Sequence, residues 1–408
     1  MPDHRLRVLM ICSHPVQYLA PVLRRMSQHV ELDLCVAYCS LQGAKATYDP
    51  EFNAIVKWDI PLLEGYRWLE IRNQGSGSGS FVGLCNLWKL IRDGRFDAII
   101  CHSGYIRASF WLAFFAARTV GSAFLFGTDA NSLVRHDSRS WKIVVKKILW
   151  PHLYPLADQV LVPSSAAYKL LRSLGISEEC ITMTPYAVDN EWWNKQAAQV
   201  DRDAVRRSWN VDSKSLVILF CAKLQPWKRP LDLLRAFALA AVPNAILVFA
   251  GEGPLRSRLE TEAVALAVAG RVRFLGFVNQ SQLPSVYAAS DLMVLPSEHE
   301  AFAVVVNEAS CCGCPVIVSD RVGAAEDLVK PVNPSFIYPC GNTNALAALL
   351  NTTLADPVLL ANLGRVAKER MESWSIRENI SATLEAIRRA VSRRNPNRLD
   401  SFQPMREE

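Results

Sequence analysis

The sequence predicts an α/β protein built from two doubly wound, Rossmann-like domains that face each other across a cleft. Short, continuous apolar runs alternate with segments of helical periodicity, which is typical of parallel sheets covered by helices on both faces. This alternation occurs twice, and a polar stretch near residues 191–215 separates the two series. A chain of 408 residues also fits two domains of about 100–200 residues each.

The first series of strands begins at Val8–Cys12, an apolar run of five residues that is too short for the core of a signal peptide. The further strands predicted in this half are Leu32–Tyr38, Ala98–Cys101, Phe124–Phe126 and Gln159–Val162, and the helices between them include Tyr18–Gln28 and Trp141–Tyr154. Residues 108–127 form the most membrane-like stretch, but Arg118 interrupts it. A buried helix followed by a buried strand is therefore favoured over a membrane span.

The second series shows the same alternation. Its predicted strands are Leu216–Cys221, Ala245–Ala250, Val272–Phe274, Leu292–Leu295 and Val316–Val318, and its predicted helices include Pro230–Ala241, Leu255–Ala267 and Val304–Cys311. We therefore assign residues 1–195 to the first domain and residues 210–375 to the second. An amphipathic helix is predicted for residues 376–393, a disordered tail for residues 394–408, and a flexible Gly- and Ser-rich loop for residues 73–80.

The composition excludes two classes of protein. Half of the residues are hydrophobic and 21% are charged, which excludes an intrinsically disordered chain. The net charge of +6, from 45 basic and 39 acidic residues, is mild for this length and argues against a dedicated nucleic-acid binder. The 11 cysteines have no regular spacing, so we interpret them as reduced thiols of a cytoplasmic protein.

The densest group of candidate functional residues lies within residues 296–327. Glu300 is predicted in the loop after strand Leu292–Leu295, and Glu308 two turns into the next helix, which residues 302–304 would open. The start of a helix suits a phosphate group, whereas a carboxylate suits sugar hydroxyls or a ribose diol. On spacing alone, a helix-capping Glu300 and a surface Glu308 remain the simpler alternative.

This block resembles the E-x7-E element of the family 4 glycosyltransferases, which have the GT-B fold. The matching residues are Pro296, Ser297, Glu300, Phe302, Glu308, Ala309, Gly313, Pro315, Val316, Ser319 and Asp320. The family's usual glycine after the phenylalanine is Ala303 here. Glycine at this position lets the donor phosphate approach the backbone closely, and an alanine with helical dihedral angles would be tolerated.

Other parts of the family pattern follow in order. Lys223 and Lys228 stand where the family has the two cations that bind the donor diphosphate, with Lys223 in place of an arginine, although two lysines in such a loop could equally be a solvated turn. Gly251 and Gly253 resemble the family's G-x-G-P turn, a motif that more often has no ligand. The segment 272–278 matches the one whose backbone faces the nucleobase.

The resemblance covers roughly residues 6–390, and it is weaker in the first half. His102 follows a predicted strand and matches the position of a histidine that many family members place near the transferred sugar. His14 lies in the loop after the first strand, and Asp129 follows another strand, at the edge where ligands of α/β proteins collect. Each of these three could equally have a structural role in a turn or cap. Residues 186–189 resemble the family's hinge segment.

The resemblance implies a retaining, metal-independent hexosyltransferase that uses a UDP- or GDP-sugar and needs no other cofactor. Its acceptor would be a hydroxyl of a glycan or glycolipid, as in polysaccharide biosynthesis. The implied catalytic residues are Glu300 and His102, the implied donor-binding residues are Lys223, Lys228, Gly251, Gly253, Phe277, Val278, Phe302, Ala303, Val304 and Glu308, and the implied acceptor-side residues are His14 and Asp129. A nucleotide-sugar epimerase on the same fold and a weakly active sugar-nucleotide binder remain alternatives.

Two further features bear on metals and partners. Cys311, Cys312 and Cys314 are clustered, but a zinc site needs a second group of ligands, so we predict that they pack in the core. Residues 135–150 combine five basic residues with two tryptophans on a predicted helix. They could contact anionic lipid at the inner face of the membrane, or they could form a solvated helix face. We predict no metal site and no nucleic-acid partner.

Overall fold

The computed structural model describes residues 5–51, 54–71, 81–134 and 140–395 of the chain. The two predicted series of strands form two separate parallel sheets, one with seven strands and one with six. The predicted loop at residues 73–80, residues 135–139 and most of the predicted tail, residues 396–408, lie outside the described residues.

The first sheet has the strand order β5-β2-β1-β6-β7-β8-β9. Its strands are β1 (Leu6–Cys12), β2 (Leu32–Tyr38), β5 (Trp68–Glu70), β6 (Ala98–Cys101), β7 (Ala123–Gly127), β8 (Gln159–Val162) and β9 (Ile181–Met183), and a separate antiparallel pair consists of β3 (Thr47–Asp49) and β4 (Ala54–Val56). Its helices are α1 (Leu19–Ser27), α2 (Phe81–Gly94), α3 (Ala108–Val120), α4 (Ser140–Leu153) and α5 (Ser165–Ser173).

The second sheet has the strand order β12-β11-β10-β13-β14-β15. Its strands are β10 (Leu216–Cys221), β11 (Ala245–Ala250), β12 (Val272–Gly276), β13 (Leu292–Leu295), β14 (Val316–Ser319) and β15 (Ile337–Tyr338). The helices of this half are α6 (Asn190–Ala198), α7 (Arg202–Ser208), α8 (Pro230–Ala240), α9 (Arg256–Ala265), α10 (Leu283–Ala289), α11 (Val305–Cys311), α12 (Thr343–Leu354) and α13 (Pro357–Glu372). All ten predicted strands are present, because continuous apolar runs are what a sheet covered on both faces requires.

The polar stretch near residues 191–215 is not a simple break between the two halves. It contains α6 and α7, which pack against α10 of the second half. Trp193 and Val211 are buried in the second core. Arg206 is also buried, and its guanidinium donates to Asp291 at 2.7 Å and to the carbonyl of Ala289 at 2.9 Å. The charged residues that suggested a linker are thus partly structural.

The last helix, α14 (Ile376–Arg394), returns to the first half of the chain. Its apolar stripe, which includes Ile380, Leu384 and Ile387, shares one core with β1, β2 and α1. A capping box between Ser375 and Glu378 fixes its start. Because α14 covers the first sheet while α13 belongs to the second half, the C-terminal segment ties the two halves together.

Among the described residues, no single helix is long and apolar enough to cross a membrane. One pair of helices, Thr343–Leu354 with Pro357–Arg394, meets the length and composition test jointly, but the pair is bent by 100° at its break.

Candidate active site

A cavity of about 580 Å³ lies between the two halves, at the carboxyl ends of the strands, where ligands of doubly wound proteins bind. It brings together most of the predicted site residues. Those that line it are Asp129, Lys223, Lys228, Gly251, Phe277, Val278, Glu300, Phe302, Ala303, Val304 and Glu308. His14, His102 and Gly253 are not among the lining residues.

Glu300 is held by contacts on its side chain and on its backbone. Its Oε1 accepts a hydrogen bond of 2.8 Å from the hydroxyl of the buried Ser297 and forms an ion pair with Nζ of Lys228. Its carbonyl accepts a bond of 2.7 Å from Nδ2 of Asn131, which belongs to the first half. Glu300 is therefore not a helix cap; it fixes the position of one of the two predicted diphosphate cations.

Ala303 corrects the expected local structure. Its φ of +87° is left-handed, so it does not have the helical dihedral angles that would make an alanine tolerable there. Helix α11 begins at Val305, and residues 302–304 precede it rather than open it. Glu308 consequently lies in the first turn of the helix, not two turns into it. The position keeps the backbone shape that favours glycine while carrying a Cβ atom.

Glu308 is a buried carboxyl group at the base of the cavity. It accepts a hydrogen bond of 2.9 Å from the hydroxyl of Tyr287 and one of 3.2 Å from Nε2 of Gln280. Burial is the largest influence on its ionisation and raises its pKa to about 7, and the two hydrogen bonds oppose that rise. The predicted alternative of a surface charge is wrong for Glu308, since its residue is only 6% exposed.

Lys223 follows β10 and lies beside acidic residues of the first half. Its Nζ is 3.1 Å from Oδ2 of Asp49 and 2.6 Å from Oε2 of Glu51. Both predicted diphosphate cations therefore have carboxylate partners, Lys223 across the cleft and Lys228 within the second half. Neither is a solvated turn lysine.

Both glycines of the G-x-G-P turn lie against the backbone of a neighbouring loop. Gly251 lines the cavity with a φ of +149°, and a Cβ atom there would lie 2.0 Å from the carbonyl oxygen of Ala222. Gly253 has a φ of +154°, and its Cβ atom would lie 2.8 Å from the carbonyl oxygen of Leu224. Both positions require glycine because two loops of the second half cross here in close contact.

The two aromatic residues of the predicted donor site point to different surroundings. Phe302 is buried and stacks on Trp374 at a ring distance of 6.0 Å, so it supports the loop from beneath. Phe277 faces the first half, where Trp58 approaches it to 5.8 Å between ring centres. Phe277 and Val278 thus form a wall of the cavity next to a tryptophan supplied by the other half.

The predicted catalytic His102 and the predicted acceptor-side residues His14 and Asp129 lie on loops of the first half. His102 follows β6 beside Gly127, and burial lowers its pKa to about 4, so its imidazole is neutral at physiological pH. Nδ1 of His14 is 3.0 Å from Oγ of Ser13. Asp129 is exposed in the loop after β7 and is the only one of the three among the residues that line the described cavity.

The cysteine cluster and the basic helix can also be located. Cys311 and Cys314 are buried in the second core and the partly buried Cys312 packs against it, as predicted. In helix α4, Lys146 turns inward, with Nζ 5.4 Å from the centre of the Trp150 ring. The exposed side carries five large apolar residues, Trp141, Val144, Val145, Ile148 and Leu149, and also the exposed Lys147. This face is exposed to solvent, as the alternative of a solvated helix face expects, but it is mainly apolar rather than basic.

Several residues of the site belong to no sequence motif described above. Gln280 and Tyr287 hold Glu308, and Trp58 and Glu51 reach the cavity from the first half. Gln280 lies just after the predicted nucleobase segment, which was a usable signal. The remaining residues carry no local motif, because their roles depend on contacts between elements that are distant in sequence.

Comparison with solved structures identifies the fold. Anabaena HepE in complex with UDP and glucose superposes with a TM-score of 0.72 at 18% identity, covering 94% of this chain and 100% of that one. Sucrose-phosphate synthase of Thermosynechococcus elongatus gives a TM-score of 0.69 at 18% identity, with 95% and 100% coverage. The protein therefore has the GT-B fold, as predicted.

Family models identify the class. Residues 201–370 match the model of group 1 glycosyl transferases, and residues 15–187 match the glycosyl transferase 4-like domain. The two models together cover most of the chain, and the chain belongs to the family 4 glycosyltransferases.

Two curated relatives illustrate the range of similar proteins. The D-inositol 3-phosphate glycosyltransferase of Rhodococcus opacus is 34% identical over 200 residues, which are 47% of this chain and 45% of the relative. The GDP-mannose-dependent alpha-mannosyltransferase of Mycobacterium tuberculosis is 35% identical over 190 residues, 47% of this chain and 46% of the relative. The chain thus spans about half the length of the curated relatives it matches.

Proposed function

We propose that the protein transfers a hexose-type sugar from a nucleoside-diphosphate sugar to an acceptor hydroxyl, with retention of configuration and without a metal ion. The observation that carries the proposal is the contact of Glu300 with both Lys228 and Ser297 in the cleft between the halves. This contact holds a cation and a carboxylate side by side, at the place where the phosphate and the sugar of a donor would meet. The UDP and glucose bound to Anabaena HepE support a nucleotide-sugar donor.

In this proposal, donor recognition is divided among the residues of the second half. Glu308 accepts hydrogen bonds from the ribose hydroxyls, and Phe277 with Val278 faces the base. Lys223 and Lys228 stabilise the negative charge that develops on the departing diphosphate. Glu300 orients the sugar and keeps Nζ of Lys228 in place, so its loss affects the chemical step more than donor binding.

The acceptor enters from the first half in this proposal. A neutral His102 can donate or accept a hydrogen bond at the transferred sugar, but it does not supply a positive charge. His14 and Asp129 contribute polar groups on the same side. Closure of the two halves excludes water, which limits hydrolysis of the donor. Because we interpret the 11 cysteines as reduced thiols, we place the reaction in the cytoplasm.

We also propose that the acceptor is a glycan or glycolipid reached at an anionic membrane surface, through helix α4. Its five exposed apolar residues recur with the spacing i, i+3, i+4, i+7 and i+8, which makes a single stripe along the helix. Lys147 and Lys142 border the stripe on either side by the same helical geometry. An apolar stripe flanked by cations fits the interface of an anionic bilayer.

The function is tested with a panel of nucleotide sugars. Thermal-shift measurements identify the donor, because a ligand of the native state raises its stability. Glu308→Ala should weaken binding of the corresponding nucleotide, and Glu300→Ala should lower kcat more than it raises KM. Unchanged nucleotide affinity in both Glu308→Ala and Lys228→Ala would contradict the donor-site assignment. Conversion of a nucleotide sugar incubated alone with the protein would favour an epimerase, and binding without turnover would favour a non-catalytic binder.

A further inference from the structure

A segment of the first half crosses the cleft and contacts the donor side. It consists of residues 47–51 and 54–59, here called the arm, and it leaves the first sheet between the neighbouring strands β2 and β5. The arm carries the acidic residues Asp49 and Glu51 and ends with the pair Trp58 and Asp59. None of these residues belongs to a motif that the sequence resemblance identified.

The arm is attached to the second half at two places. At its far end, Nδ2 of Asn279 donates a hydrogen bond of 2.7 Å to the carbonyl of Lys57. The backbone N–H of Ser281 donates one of 3.1 Å to Oδ1 of Asp59. Trp58 packs against Phe277 between these two contacts. The arm is thereby held against the nucleotide side of the cavity, although it belongs to the first half of the chain.

At the other place, the arm engages the donor-site lysine. Nζ of Lys223 lies 3.1 Å from Asp49 and 2.6 Å from Glu51, and Nε2 of Gln225 donates 2.6 Å to the carbonyl of Glu51. A diphosphate that bound Lys223 would meet two carboxylates at the same nitrogen. Like charges at such distances repel each other, and one ammonium group cannot neutralise all of them.

Resting on the proposed function, we infer that Asp49 and Glu51 compete with the donor diphosphate for Lys223. Binding of the donor then exchanges the arm's carboxylates for phosphate oxygens and moves the arm away from Lys223. The same carboxylates return to Lys223 when the nucleoside diphosphate leaves, so they lower its affinity and promote product release. Asp49 and Glu51 are thus residues that set donor and product affinity from the opposite half of the molecule.

The inference is tested by measuring the Kd of UDP, GDP, ADP and inorganic pyrophosphate by calorimetry. Glu51→Gln and the double variant Asp49→Asn/Glu51→Gln should bind the preferred nucleotide about fivefold and about tenfold more tightly than the wild type. In the Lys223→Gln background the same changes should have little effect, because the competition needs that lysine. Thermal unfolding of each variant verifies that it is folded.

A matched control removes the same charge elsewhere in the first half. Glu31→Gln/Asp33→Asn alters two acids at the amino end of β2, at the opposite end of that strand from the cleft. An equal gain of affinity in this control, or in the Lys223→Gln background, would overturn the inference in favour of a general charge effect. Equal nucleotide affinity in all variants would overturn this inference but not the proposed function. No binding of any nucleotide to any variant would overturn the proposed function as well.

Discussion

The hydroxyl of Tyr287 lies 2.9 Å from Oε2 of Glu308, and both residues are buried. This bond joins α10 to α11 and gives an otherwise desolvated carboxyl group a defined direction toward the cavity. Gln280 supplies a second donor to the same group. Because burial outweighs both bonds, the pKa of Glu308 still rises to about 7. Protonation of the proposed ribose-binding residue therefore changes within the physiological pH range.

The first prediction concerns stability and pH. The folded protein keeps a proton on Glu308 up to about pH 7, whereas the unfolded chain releases it near its usual value of 4.5. The native state thus binds more protons between these values, and Glu308 contributes stability at low pH that is lost as the pH rises through 7. The free energy of unfolding of the wild type, minus that of Glu308→Gln, should fall by roughly 3 kcal/mol between pH 4.5 and 7.5.

Denaturant unfolding at a series of pH values measures this difference. Asp158 and Asp327 also have raised pKa values because of burial, but they are present in both proteins and cancel in the subtraction. A difference that stays constant or grows over this range would contradict a raised pKa for Glu308.

The second prediction concerns the positioning role of Tyr287. The hydrogen bond from Tyr287 orients Glu308 and lowers the pKa of its carboxyl group. Tyr287→Phe removes this bond, so the pKa of Glu308 should rise further. We expect nucleotide affinity near pH 7 to fall several-fold and to recover partly at higher pH, while kcat at saturating donor changes little. Tyr338→Phe is the control, since its buried hydroxyl has no hydrogen-bond partner among the described residues. Equal losses in the two variants would indicate a packing effect instead.

Much of the fold follows from the sequence, because its determinants are local. Continuous apolar runs identify β10 or β13 without knowledge of any partner, and the spacing of Glu300 and Glu308 places both near one strand end. The edge strands β5, β9 and β15 escaped prediction because two or three residues give no periodicity. The helices α6 and α7 escaped it because Arg206 reads as a surface charge until Asp291, distant in sequence, is known to face it.

The same distinction between local patterns and distant contacts holds for the candidate site. Residues within the resembled block are found together in the cavity, whereas Trp58 and the arm depend on how two halves of the chain meet. The prediction that Ala303 opens helix α11 is wrong, because its φ is left-handed. Sequence alone does not report dihedral angles at a position where alanine replaces the usual glycine. Tertiary constraint, rather than local preference, sets that backbone.

The third prediction concerns this strained alanine. A φ of +87° costs a non-glycine residue about 1 kcal/mol, so Ala303→Gly should raise the free energy of unfolding by about that amount. Removing the Cβ atom also opens the cavity wall beside the proposed phosphate position, and donor affinity should increase. Ala238→Gly, in the regular helix α8, is the control and should destabilise the protein by up to 1 kcal/mol. A destabilising Ala303→Gly would show that the backbone there is not strained.

The last prediction concerns the apolar stripe of helix α4. Trp141 and Ile148 are 60% and 65% exposed, and the double variant Trp141→Ser/Ile148→Ser should lose most of the binding to phosphatidylglycerol-containing vesicles. The matched control is Leu239→Ser on α8, whose side chain is similarly exposed, at 59%, but lies in the other half. Co-sedimentation with anionic and with neutral vesicles measures the effect, and transfer to a water-soluble acceptor should be unchanged in all variants. Vesicle binding that survives in the double variant, or that is equally weakened by Leu239→Ser, would contradict a membrane contact through α4. A concentration-dependent dimer that is lost only in the double variant would instead assign the stripe to contact with a second copy of the chain.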